Sequence, residues 1–323
     1  MYPERIVSFL PSSTEILYEI GAGSQIAGVT HECKYPNDAK TKPRVINSSF
    51  EASKMNSKEI DDKIAEIMQS GGDIYVIDDK KIKESKPDLI IAQGICDICA
   101  PFKKEINRST TILGYRPDIL ILDPHDLDDI LLSIMDIAER VGKTEQGRKL
   151  VASLQSRIDN IRLRARKRSS NNSISGVSYI DNNKEPKVLC IEWINPFFTA
   201  GHWIPQMVEI AGGVNGISSS RQQSRRMYID EIIELDPDKI ILMPCGFDLN
   251  RTLVEAKGLE TNNIWKSLRA VQNNEVYAVN AEAYFSKPGP RTIKGLEILA
   301  KIIEPERFRD IKVPVDSFTK ICF

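Results

Sequence analysis

The chain has 323 residues, 41% of them hydrophobic and 28% charged, with a formal net charge of −1. That length fits one large domain or two of ordinary size, and the balance is that of a globular protein. A near-neutral charge gives no global attraction to nucleic acid or to an anionic membrane, and no stretch approaches the roughly 18 apolar residues of a membrane span.

The chain opens on "MYPERIVSFLPSSTEI", with no basic segment followed by an apolar core. As it stands it reads as cytoplasmic, and as extracytoplasmic if a leader has been removed. The run Ile6–Leu10 predicts a buried strand that Pro11 ends. Ser12 or Ser13 is the expected cap of a helix with Glu15 in its first turn, Ile16, Leu17 and Ile20 inward, and Gly21 at its end. The following "GAGSQIAGV" is not a dinucleotide fingerprint, because its glycines follow a helix instead of joining strand to helix. Ile26–Thr30 predicts a second strand leading into "HECKYP".

Further on, "SKEIDDKIAEIMQSGG" predicts a helix capped by Ser57, with Ile60, Ile64, Ile67 and Met68 on one face. "DIYVID" reads as a strand, and "KIKESKPDLIIAQ" as a short helix, a Pro-Asp turn and a strand ending at Gln93. "TTILGY" and "DILILDP" are further predicted strands. From Leu127 to Val141, and again from Leu150 to Ile161, apolar residues keep helical spacing. Unbroken, about 40 residues of helix would span roughly 60 Å, so a break near Gly142 is expected. Arg162, Arg164, Arg166, Lys167 and Arg168 close this span as cations at a helix C-terminus, where the dipole favours them, and not as a nucleic-acid patch. The polar "SSNNSISGVSYIDNNKEP" follows as a loop.

The alternation then restarts with "KVLCIEW", "IPQMVEIAGG", "YIDEIIELDPDKIILMPCG", "IWKSLRAVQNNEVYAVN" and "PRTIKGLEILAKIIEP". The expected fold is α/β: two Rossmann-like lobes with mainly parallel sheets joined by a long helical span. The boundaries read as 1–125 for the first lobe, 126–168 for the helical span, 169–186 for the polar loop and 187–323 for the second lobe. "KPDLIIAQ" and "DPDKIILMP" repeat one pattern, which predicts two lobes built on one plan.

Ligands of open parallel sheets bind beyond the carboxyl ends of the strands. The residues expected there are Pro11, Ser12 and Thr14 after the first strand, His31, Glu32 and Cys33 after the second, and Gln93, Cys96 and Cys99 after "DLIIA". In the second lobe they are Glu192, Trp193, Phe198, His202 and Trp203 of "EWINPFFTAGHW", and Tyr284 and Phe285. Such an aromatic segment at a strand end suits a large, flat, partly apolar ligand. Trp265 has helical spacing to Leu268 and Val271 and reads as core; His125 reads as structural. His31 and His202 would face each other from opposite lobes, either able to serve as an axial ligand to a metal centre. His31, Cys33, Cys96 and Cys99 also make a Cys₃His set of the kind that holds Zn²⁺, in a cytoplasmic metal-binding protein. A thiol enzyme built on the Cys96–Cys99 pair is a third reading.

"RIVSFLPSSTEILYEIGAG", "GVTHECKYP", "KPDLIIAQGICDICA", "EWINPFFTAGHWIPQMVEIAGG", "LDPDKIILMPCG" and "YFSKPGPRTIKGLEILA" together resemble the substrate-binding proteins of ABC importers for vitamin B12 and iron chelates. The resemblance covers roughly 5–160 and 186–307, and "THEC" and "C-x-x-C-A" look like a cobalamin-binding subgroup. It implies a ligand clamped by two lobes held on a stiff helix, with no catalysis and no required cofactor. The implied ligand is cobalamin, another corrinoid or a related metal chelate, and the implied partner is an ABC permease. On that pattern Pro11 and Ser12 match the first-strand loop, Trp193 and Phe198 an aromatic wall, and Tyr284, Phe285 and Arg291 the "YFSKPGPR" segment.

Overall fold

A computed structural model describes residues 2–94, 103–170 and 185–323. The first part of the chain runs β1 (Ile6–Ser8), α1 (Pro11–Glu19), β2 (Ile26–Thr30), β3 (Arg44–Ser48), α2 (Ser57–Gln69), β4 (Tyr75–Ile77), α3 (Asp79–Ser85), β5 (Leu89–Gln93), α4 (Lys103–Leu113) and β6 (Asp118–Leu122). Helices α5 (Leu127–Arg140) and α6 (Thr144–Ser170) follow. The remainder runs β7 (Val188–Trp193), β8 (Phe198–Thr199), α7 (Ile204–Ile210), α8 (Ile229–Leu235), β9 (Lys239–Leu242), α9 (Leu249–Ala256), α10 (Asn263–Ser267), α11 (Arg269–Gln272), β10 (Val276–Val279), α12 (Ala281–Tyr284), α13 (Thr292–Ile303) and β11 (Phe318–Ile321). The chain forms two compact units: Met1–Pro124 with Asp128–Leu154 and Pro288–Pro290, and His125–Leu127 with Gln155–Lys287 and Arg291–Phe323.

The first unit holds a sheet in the order β4-β3-β2-β1-β5-β6. Its pairs are parallel except β3 with β4. Val7, Phe9, Val45, Ile46 and Ile90 form its core. The second unit holds a sheet in the order β11-β10-β9-β7-β8, with antiparallel pairs only at its two edges. Leu189, Ile240, Leu242 and Trp265 lie at its centre. Trp265 is fully buried, stacked on Phe197 at 5.8 Å, as its helical spacing predicts.

The repeated sequence pattern is a repeated structure. In each unit a short helix ends in a left-handed residue, Lys86 or Asp236, and a Pro-Asp pair then leads into a parallel strand. Asp88 Oδ1 accepts the Arg5 amide at 3.0 Å, and Asp238 Oδ2 accepts the Lys187 amide at 2.8 Å. Arg5 Nε donates to Ser85 O and Lys187 Nζ to Leu235 O, so each cation also closes the C-terminus of the preceding helix. One aspartate thus fixes the register of β1 with β5, and its counterpart that of β7 with β9.

Several local expectations change. Pro11 begins α1 at its first turn, where a missing N–H costs nothing, and Leu10 stands at the cap. Asn56, not Ser57, caps α2 in a reciprocal box with Glu59, and Met68 is 56% exposed. "TTILGY" is not a strand: Thr110–Leu113 is the last turn of α4. Thr110 and Thr111 turn their hydroxyls back onto the carbonyls of Ile106 and Asn107, which satisfies these β-branched residues inside a helix.

The break at Gly142 is present, at φ +72°, between α5 and α6. A Cβ there would stand 2.7 Å from the Tyr2 ring. Helix α6 is the long connection, running from the first unit into the second. Two of its cations have partners: Arg162 pairs with Asp159, and Arg164 pairs with Asp310 at 2.6 Å while lying over the Phe308 ring. The polar loop falls largely outside the described residues. Among the described residues no helix is long and apolar enough to cross a membrane.

Candidate functional site

In the first unit the loop after β1 is built on hydroxyls. Ser8 and Ser13 share a hydrogen bond of 2.6 Å, Ser8 Oγ donates to Leu10 O, and Thr14 Oγ1 donates to Ser8 Oγ. Thr14 also meets Cys33 Sγ at 3.1 Å, and Thr30 Oγ1 lies 3.5 Å from the same sulfur. This network joins the start of α1 to the end of β2. Ser12 and Thr14 are buried, Pro11 half-buried. A Cβ on Gly289 would touch Ser12 at 3.3 Å, so the Pro288–Pro290 segment seats on the α1 start.

His31 and Glu32 follow β2, both partly exposed. His31 Nε2 lies 3.5 Å from Glu32 Oε1, and its ring is 6.2 Å from Tyr75. Its Nδ1 is buried. Burial holds this imidazole below its ordinary pKa, against the opposing pull of Glu32. Gln93, at the end of β5, is buried. Cys96 and Cys99 lie outside the described residues. Among the described residues no group of three or more His, Cys, Asp and Glu could hold a metal ion. Cys33 is engaged with the two threonines.

The second unit carries the aromatic segment. Trp193 ends β7, half-buried and edge-on to Phe247 at 5.3 Å. The Arg251 guanidinium lies 3.7 Å from the Phe247 centroid, a cation–π contact. Phe198 begins β8 with Arg226 at 5.8 Å from its ring. Trp203 and Phe285 are buried, and Trp203 Nε1 donates to Phe285 O at 3.0 Å. Tyr284 and Arg291 are half-buried. His202 takes a left-handed φ of +54°. Its ring lies 6.1 Å from His125 and 5.7 Å from Trp203.

The register relates the two units at these loops. Ile6 stands opposite Leu89 as Val188 stands opposite Lys239. Five residues beyond Ile6 is Pro11, and five beyond Val188 is Trp193. Pro11 and Trp193 therefore occupy equivalent register positions, although β1 has already ended at Ser8 and given way to α1 while β7 still continues to Trp193.

Sequence reading missed the segment that backs the aromatic rim. Within residues 221–227, the stretch 225–227 runs antiparallel beside β8: Thr199 N donates to Arg225 O, and Met227 N to Phe197 O. Arg221 pairs with Asp126, next to His125. The segment, "RQQSRRM", has no apolar period to announce a strand; its only signal is its place between two assigned helices. Phe247 and Arg251 were missed likewise, although "PCGFDLNR" follows a strand end.

A family model described as periplasmic binding protein matches residues 6–283. An uncharacterized ABC transporter substrate-binding lipoprotein of Bacillus subtilis is 25% identical over 312 residues, covering 95% of this chain and 82% of the relative. The vitamin B12-binding protein of Vibrio cholerae is 24% identical over 298 residues, covering 91% and 87%. A periplasmic heme-binding protein from Pseudomonas aeruginosa superposes with a TM-score of 0.71 at 14% identity, covering 99% of each chain, which shows a shared fold. With a two-unit fold and a family model that matches most of its length, the chain belongs to the periplasmic binding protein family and is a binding protein, not an enzyme.

Proposed function

We propose that the chain binds a corrinoid of the cobalamin type and delivers it to an ABC permease at the outer face of the cell membrane. The observation that carries this reading is the rim of the second unit. Trp193 and Phe198 stand half-buried as cross-strand partners of β7 and β8, Trp193 edge-on to the buried Phe247 and Phe198 with the exposed Arg226 5.8 Å from its ring. Two half-buried rings side by side offer an apolar surface, which suits a rigid macrocycle. The vitamin B12-binding relative adds support, since it aligns over 91% of this chain. From the first unit we assign Pro11, His31 and Glu32 as ligand contacts, and from the second His202, Tyr284 and Arg291 with the rim. Ser12, Thr14, Gln93, Trp203 and Phe285 are buried and act as support.

Heme is the second reading, because a heme-binding protein shares the fold. Calorimetric titration with cyanocobalamin and, separately, hemin distinguishes them. The reading predicts one equivalent of cyanocobalamin bound in the low micromolar range or tighter. Hemin binding without cyanocobalamin binding moves the assignment to heme; binding of neither overturns the reading.

A further inference from the structure

We propose that Glu192 is a positioning residue that closes a ring of hydrogen bonds around the rim loops of the second unit. The inference rests on the ligand reading above for its meaning, but its geometry stands alone. Glu192 stands one residue before Trp193, the last residue of β7, a place where a carboxylate could be taken for a direct ligand contact. Its side chain is instead turned onto neighbouring loops. Oε2 accepts from Ser224 Oγ at 2.8 Å and from the Gly201 amide at 3.4 Å. Ser224 Oγ also accepts from that amide at 3.2 Å, so three groups share one knot.

From Glu192 the connections continue round the rim. Its main-chain oxygen accepts the Cys245 amide at 3.0 Å. The next amide, Gly246, donates to Ser286 Oγ at 3.0 Å. Phe285, one residue back, accepts from Trp203 Nε1. Trp203 is two residues from Gly201, where the circuit began. Loops from β7, β8, β9 and α12 are thereby tied into one closed path.

Two further observations show that this path holds a demanding conformation. A Cβ on Gly201 would stand 2.5 Å from Gln222 O and 2.6 Å from Ser224 N, so the two segments meet backbone to backbone. His202 and Arg221 both take left-handed backbones without being glycine, at φ +54° and +69°. Such conformations persist only where the surroundings over-determine them. Here His202 N donates to Gln222 O at 2.6 Å and Arg221 N to His202 O at 3.0 Å. The Glu192 knot anchors one end of this contact and the Arg221–Asp126 pair the other. A rim assembled before the ligand arrives avoids the cost of ordering loops on binding.

The test uses the full chain with Glu192→Ala, Glu192→Gln and Ser286→Ala. Amide hydrogen exchange without ligand is the first readout. Glu192→Ala should speed exchange at Gly201 by about threefold or more, because it removes one acceptor and releases Ser224 Oγ, the other, from the carboxylate that holds it. Exchange at Cys245 and Gly246 should rise with it, because the path is shared. Glu192→Gln keeps an acceptor oxygen and should recover most of the protection. The second readout is cyanocobalamin affinity, expected to weaken about tenfold in Glu192→Ala and much less in Glu192→Gln. Unchanged exchange at Gly201 and Gly246 in Glu192→Ala overturns the proposal. If that variant does not fold, Ser286→Ala opens the circuit at its far side, and an unchanged Gly201 rate there overturns it equally. If the parent chain fails to bind cyanocobalamin, the ligand reading fails, while the exchange data still decide the role of Glu192.

Discussion

Two tryptophans of this chain should respond to truncation in opposite ways. Trp193 is half-buried at the end of β7, touching Phe247 edge-on at 5.3 Å. Trp265 is fully buried, stacked on Phe197 and edge-on to Phe323. For Trp193→Ala, loss of a stacking face against a flat ligand is expected to cost about 1–3 kcal/mol, or roughly 5- to 150-fold in Kd. Its cost in stability is smaller, since one aromatic pair contributes about 0.5–1.5 kcal/mol beyond its area. Trp265→Ala empties the centre of the second unit and should cost about 3–5 kcal/mol of stability. Calorimetry with cyanocobalamin measures the first effect and urea unfolding the second. Trp193→Phe keeps a ring at the rim and should retain most of the affinity. A Trp193→Ala variant that binds cyanocobalamin like its parent, while losing as much stability as Trp265→Ala, would refute the division between rim and core.

The half-buried imidazole of His31 should titrate below its ordinary value of about 6.5, as NMR of the ring protons can show. The sign follows from linkage: as pH falls below about 6.5, the unfolded chain takes up a proton that the folded chain resists. Stability should therefore fall with pH between that point and the folded value, and His31→Gln should remove this part of the slope; a midpoint at or above 6.5 contradicts the burial argument. Gly147 lies where α6 crosses α5, and a Cβ there would stand 2.4 Å from Ala138 Cβ. Gly147→Ala should cost about 1–3 kcal/mol in urea unfolding, and an unaffected midpoint would show that the two helices are free to part.

Much of this architecture is legible in the sequence because it is written in local chemistry. The Pro-Asp turns before β5 and β9 mark two copies of one strand-setting device, and Gly142 marks the corner before the long helix. Trp265 reveals its burial through its spacing to Leu268 and Val271. Other features depend on distant partners and leave no local period. Residues 225–227 become extended because Thr199 and Phe197 pair with their backbone. Thr110–Leu113 looks like a strand by composition, yet Ile106, Ile112 and Leu113 belong to the core against which α4 packs. The site was legible at its rim, where Trp193 and Phe198 sit at strand ends. The role of Glu192 was not, because a carboxylate turned toward ligand and one turned toward a neighbouring loop read alike until Ser224 and Gly201 are placed beside it.

The most direct test of the account is a crystal structure of the full chain grown with cyanocobalamin. The account predicts the macrocycle lying with its face against Trp193 and Phe198, with the Glu192–Ser224–Gly201 knot unbroken beneath it. Cobalamin bound away from both rings, or absent from crystals grown at saturating ligand, would contradict it.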